Sequence, residues 1–141
     1  MEAPPLSGPH GQPLPLGFKW LHASNLLSWT SWHLLRDQQS SEAFRDEFQK
    51  ETAAPNPSSV KDFQPFAQGG NGDDIAGFVL VNGVVQKSVI EVHLTWARQP
   101  EAKGWPGMAL YGSLWEWLAD SVIRGMEEFD DTTIELWMTR Q

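Results

Sequence analysis

The sequence predicts an α+β fold with antiparallel strand pairing, and three observations carry that prediction. Asn82-Gly83 allows positive φ at two successive positions, the mark of a tight hairpin between strands at 76–81 and 84–86. Residues 89–96 (VIEVHLTW) alternate strictly, Ile90, Val92, Leu94 and Trp96 on one side and Val89, Glu91, His93 and Thr95 on the other. Residues 40–51 and the stretch from 113 onward place their apolar residues at helical spacing instead. Strands joined by a hairpin, with helices between some of them, point to an antiparallel sheet rather than a doubly wound parallel one.

Taken in order, residues 1–16 hold five of the ten prolines and read as a flexible, polyproline-like arm. Folded structure is expected over 17–141 as a single domain, since 141 residues suit one domain and can bury about two-thirds of the unfolded surface. Residues 30–35 (TSWHLL) fit a short strand. A helix over 40–51 follows, with Phe44 and Phe48 one turn apart. Pro55 and Pro57 make 52–59 a loop.

The stretch GGNGDD at 69–74 is the first candidate for chemistry. Two adjacent carboxylates, Asp73 and Asp74, lack the alternate spacing and closing glutamate of a calcium loop, and in extended chain they point to opposite faces. The glycines could expose amides to a phosphate, but no lysine follows and the aspartates oppose an anion. A strand-initiating turn explains every residue there and is preferred.

Past 96, Pro100, Gly104 and Pro106 make 98–107 a loop. Ser113-Leu114-Trp115-Glu116 fits a capping box, so a helix starts at 113. Trp115, Leu118, Val122, Met126 and Phe129 form its apolar stripe; Glu116, Asp120, Arg124 and Glu127 form the other face. On that reading Trp96 and Trp115 are core residues, and 132–138 is a last strand.

Composition narrows function. With no cysteine among 141 residues, disulfides, thiol catalysis and cysteine-ligated zinc are excluded. A net charge of −8 and a pI of about 4.8 argue against nucleic acid and anionic membrane as direct partners. No apolar run approaches the ~18 residues of a membrane span. The first residues, MEAPPLSGPHGQPLPL, lack a signal peptide's basic and apolar regions, so the expected location is the cytoplasm.

His93 is the most tempting base, yet no G-x-S-x-G motif accompanies it, and His10, His22 and His33 form no H-E-x-x-H pair. Trp105, in a Gly-Trp-Pro turn, is not explained by packing. Glu127, Glu128, Asp130 and Asp131 sit where a helix C-terminus disfavours carboxylates. Residues 113–141 hold seven acids against two arginines, a net of −5. A docking face for a basic partner produces such a cluster, as does a solvated helix end.

Several segments together resemble the SUKH superfamily. They are Pro65-Phe66-Ala67, Gly72-Asp73-Asp74-Ile75-Ala76-Gly77-Phe78, Val92-His93, Trp105 and Ser113-Leu114-Trp115-Glu116-Trp117-Leu118. The resemblance spans about residues 17–130. The family's early helix ending in Asn-Gly-Gly is not recognisable here and the proline-rich arm lies outside its pattern, which makes this a divergent member. The resemblance implies an antiparallel sheet flanked by helices, no enzymatic activity, and binding of a toxin, often a nuclease; no cofactor or metal is expected. It gives Asp73 and Asp74 no chemical role.

The expected function is therefore a non-enzymatic immunity protein that neutralises a basic toxin domain through an acidic surface. Asp73, Asp74, Trp105, Glu127, Glu128, Asp130 and Asp131 are the candidate partner-binding residues. Two alternatives stand beside it. One is a small enzyme, ligand-binding or metal-binding domain using His93 with Asp73 or Asp74, which requires those side chains to converge within hydrogen-bond reach. The other is a housekeeping interaction domain with no toxin.

Overall fold

The structure, a computed structural model, describes residues 6–52, 60–94, 96 and 107–124. Its centre is a five-stranded sheet in the order β1-β2-β3-β4-β5, with every neighbouring pair antiparallel. The strands are β1 (Trp32–Leu34), β2 (Phe63–Gly69), β3 (Asp74–Val81), β4 (Val84–His93) and β5 (Gly107–Tyr111). Helix α1 (Leu16–Ser24) precedes β1, α2 (Gln38–Glu51) lies between β1 and β2, and α3 starts at Leu114–Trp117 and widens to π-helical spacing over Leu118–Ile123. This is the predicted α+β class.

The hairpin at Asn82-Gly83 is as expected, with φ of 51° and 79° at the two turn residues. It sets Leu80 against Val85 and, beyond a bulge, Phe78 against Val89 and Asp74 against His93. The GGNGDD stretch is the preceding turn. Gly72 takes φ +86°, and the Asn71 side-chain oxygen accepts from the Asp73 and Asp74 amides at 3.0 and 3.1 Å, an Asx arrangement that ends where β3 begins. Between β2 and β3 the backbones approach so closely that a Cβ on Gly77 would lie 2.5 Å from the Gln64 carbonyl oxygen.

Because side chains alternate along the strands, the sheet has two apolar faces. Ile75, Val79, Ile90, Val92 and Leu94 meet Phe48 of α2. Ala76, Phe78 and Val89 meet Phe18 and Leu21 of α1 and Leu114, Trp117, Leu118 and Val122 of α3. Trp117 is fully buried, its ring edge-on to Trp32 at 5.2 Å and to Phe66 at 5.3 Å. Pro65, which has no N–H to give a ladder, sits where the β2–β3 register shifts. Beside it, the buried Gln64 amide donates to Ser41 Oγ, which donates to the Pro65 carbonyl, so polar groups under α2 are satisfied.

Several expectations are corrected. The strand expected over 89–96 is the second half of a longer β4 that ends at His93, because Trp96 turns out of the sheet at φ +55° and is exposed. Val89 is buried too, since helices cover both faces. On α3 the inward tryptophan is Trp117, with Leu114, whereas Trp115 faces solvent. Leu118 and Val122 are buried as expected, so the stripe is rotated by less than a quarter-turn, taking in Leu114 and Trp117 in place of Trp115. Two strands had no expectation: β2, whose continuous burial gives no alternation, and β5, only five residues long. Residues 6–15 are not a free arm. Leu6 is buried, Ser7 exchanges two hydrogen bonds with the Gln38 side chain, and the Gln12 side chain donates to the Gly83 carbonyl and accepts from the Val85 amide. The expected strand at 132–138 lies outside the described residues, as do Met126 and Phe129.

The helix start at 113 is as expected. Ser113 Oγ accepts from the Glu116 amide, and the Glu116 carboxylate accepts from Gly112, one residue before the position a standard box uses. The rotation of α3 has a measurable outcome. In urea unfolding, Trp117→Ala should cost about 3–5 kcal/mol, and Trp115→Ala within about 0.5 kcal/mol.

Candidate functional site

The hairpin register places Asp74 and His93 directly opposite each other at the end of the sheet, on the face that α1 and α3 cover. Nδ1 of His93 lies 2.7 Å from Asp74 Oδ1, and Asp74 Oδ2 accepts from the Asn71 side-chain amide at 2.8 Å. With Nδ1 committed to Asp74, the Nε2 nitrogen is the one left to face outward, and the imidazole is half exposed. The hydrogen bond to Asp74 is the main cause that raises the His93 pKa above 6.5; the small burial of the ring opposes it, and the charges of Asp74, Asp73 and Glu51 add to it.

Beside this pair is a shallow cleft of about 220 Å³ lined by Asp74, Glu91, His93, Gly107, Met108 and Ala109. Glu91 occupies the same face two residues before His93. Its Oε1 accepts from Trp117 Nε1 at 3.0 Å and from Ser121 Oγ, so α3 is tied to the sheet at the cleft wall. The cleft is open because β5 offers only Gly107 and Ala109 opposite His93 and Glu91. Chemically, His93 can exchange a proton at Nε2 with a bound group, with Asp74 holding its orientation. No group of three His, Asp or Glu side chains among the described residues could hold a metal ion.

Asp73 and Asp74 do diverge, as extended chain requires. Asp73 turns to the other side and accepts from Trp96 Nε1 at 3.1 Å, while its carbonyl accepts from the Leu94 amide. The Trp96 amide donates to Glu51 Oε2 at 2.9 Å, and its ring meets Phe44 edge-on at 6.1 Å. Two carboxylates and one ring thus fix a bulky residue in a left-handed conformation it rarely adopts. Nearby on α2, burial first and a hydrogen bond with Glu51 second push the Glu47 carboxyl up to about 7.

Sequence reasoning missed a third feature. Trp20 of α1 and Trp115 of α3 are 49% and 52% exposed, with ring centroids 5.4 Å apart, and Leu16 beside them is 80% exposed. The helices meet closely here, as a Cβ on Gly17 would lie 3.1 Å from the Trp115 ring. Leu16 and Trp20 are four apart on the α1 face opposite the buried Phe18 and Leu21, a signal that the proline-rich reading of 1–16 concealed. Of the candidate partner-binding residues, Asp73 and Asp74 are placed as above; Trp105, Glu127, Glu128, Asp130 and Asp131 lie outside the described residues.

Two titrations follow. The His93 midpoint by NMR should lie above 6.5 and fall toward it in Asp74→Asn; an unchanged midpoint would refute the pairing. Being raised, it contributes stability fully below pH 6.5, lost as pH rises through the folded midpoint. Glu47 is likewise raised, so the folded state binds the extra proton and stability should fall as pH rises from 4.5 to about 7. Glu47→Gln should flatten that slope in denaturant melts at several pH values. In comparisons with known proteins, no family model, no curated protein and no solved structure matches this chain.

Proposed function

We propose that the chain is a non-enzymatic protein-binding module, an immunity protein that neutralises a basic toxin domain. One observation carries the binding part of this reading: Leu16, Trp20 and Trp115 form an exposed apolar patch, with two tryptophan rings packed on each other rather than into the core. Tryptophan is the residue most concentrated at interface hot spots, and contiguous apolar surface of this kind marks a docking site. The net charge of −8 suits a basic partner, because complementary charge speeds association and sets which partners are rejected. The resemblance to the SUKH superfamily supports the more specific assignment to toxin immunity.

A second reading has one observation in its favour. Asp74 and His93 do converge within hydrogen-bond reach beside a cleft, the condition a small enzyme or ligand-binding domain would need.

The two are separated by a pulldown with the tagged chain from a lysate of its source, at low and high salt. A basic toxin domain should be recovered at low salt. It should be lost at high salt, in Trp20→Ala/Trp115→Ala by at least about tenfold, and on charge reversal at Glu127, Glu128, Asp130 and Asp131. Failure to recover any partner, together with small-molecule binding abolished by His93→Gln, would overturn the immunity reading in favour of the second.

A further inference from the structure

The segment over residues 6–15 roofs a cavity of about 440 Å³ lined by Leu6, Ser7, Pro13, Leu14, Phe18 and Lys19, with Leu16 at its side. Its size is that of pockets that take small molecules. Five of the seven lining residues are apolar. Of the two polar ones, the Ser7 backbone is already engaged on both sides by Gln38. Lys19 is exposed, and it forms no ion pair among the described residues.

The roof cannot easily collapse into the space beneath it. It is pinned at one end by Ser7 on Gln38 and near the other by Gln12 on Gly83 and Val85, and Pro13 and Pro15 fix φ from there to the start of α1. A cavity held open by backbone constraint, apolar within and carrying at its rim a lysine with no ion pair among the described residues, is complementary to an amphiphile with an apolar tail and an anionic head.

We propose that this cavity binds a medium-chain carboxylate, its tail against Pro13, Leu14 and Leu16 and its carboxylate on Lys19. The site is separate from the His93 cleft, and the proposal does not depend on the protein-binding reading. The chain's overall negative charge opposes anions at long range, so burial of the tail supplies the affinity and Lys19 selects the head group.

The test is calorimetry with the full chain and two probes of equal tail, decanoate and decyltrimethylammonium, each below its micellar concentration, with methyl NMR to locate the site. Saturable one-to-one binding of decanoate is expected, with shifts at the Leu14 and Leu16 methyls and weaker binding of the ammonium probe. The exposed Lys19→Glu should weaken decanoate by about fivefold or more. Leu14→Trp, which fills the cavity, should abolish binding while Lys19→Glu serves as the variant that leaves the fold undisturbed. Equal affinity for both probes, no saturable binding, or undiminished binding in Lys19→Glu would overturn the proposal. So would a cavity that binds neither probe but whose filling weakens capture of a protein partner, since a protein side chain would then be its occupant.

Discussion

The register of the β3–β4 hairpin is the constraint on which the rest of the structure depends. A turn of Asn82 and Gly83, with the bulge between Phe78 and Leu80, fixes which residues of the two longest strands face each other. Because strand side chains alternate, a slip of β4 by one residue against β3 would send Val89 to the α2 face and Val92 to the α1–α3 face. Both helical layers are shaped to the present arrangement. The small residue Ala76 lies across from Glu91, and that carboxylate receives Trp117 and Ser121 from α3. Register, helix docking and the position of Asp74 against His93 are thus consequences of one turn and the bulge that follows it.

The same geometry accounts for the separation of the two aspartates. Adjacent in sequence, they serve opposite sides of the sheet. Asp74 orients an imidazole on one side, and Asp73 steadies the indole of Trp96 on the other. The loop between β2 and β3 is polar for a structural reason first: its amides need acceptors, and Asn71 supplies them. Any binding role at this end of the sheet is added to a turn that already explains its residues.

What was legible in the sequence was whatever local chemistry determines. The Asn82-Gly83 turn, the Ser113 cap and the one-turn spacing of Phe44 and Phe48 each specify local conformation without help from the rest of the chain. What was not legible depends on coverage from a distance. Val89 looks solvent-facing by alternation, and becomes core only because α1 and α3 cover that face. Trp115 and Trp117 are both apolar and two positions apart, so periodicity alone gave the wrong rotation for α3; the partner surface of Trp32 and Phe66 decides it. The convergence of His93 on Asp74 was left open because register, not composition, sets it. The exposed pair Trp20–Trp115 joins helices ninety-five positions apart, which no short window could reveal.

The two hydrogen bonds from the Gln12 side chain have a consequence for solubility in the colloidal sense. Strand β5 pairs only with Val89–His93, so among the described residues the first half of β4 has no neighbouring strand on that side. An open row of amides and carbonyls there is a template on which another chain could add a strand. Gln12 occupies that row with a carboxamide, which offers one donor and one acceptor in the spacing of a backbone peptide, to Gly83 and Val85. One side chain near the N-terminus thus takes the two backbone bonds that an added strand would seek at this part of β4.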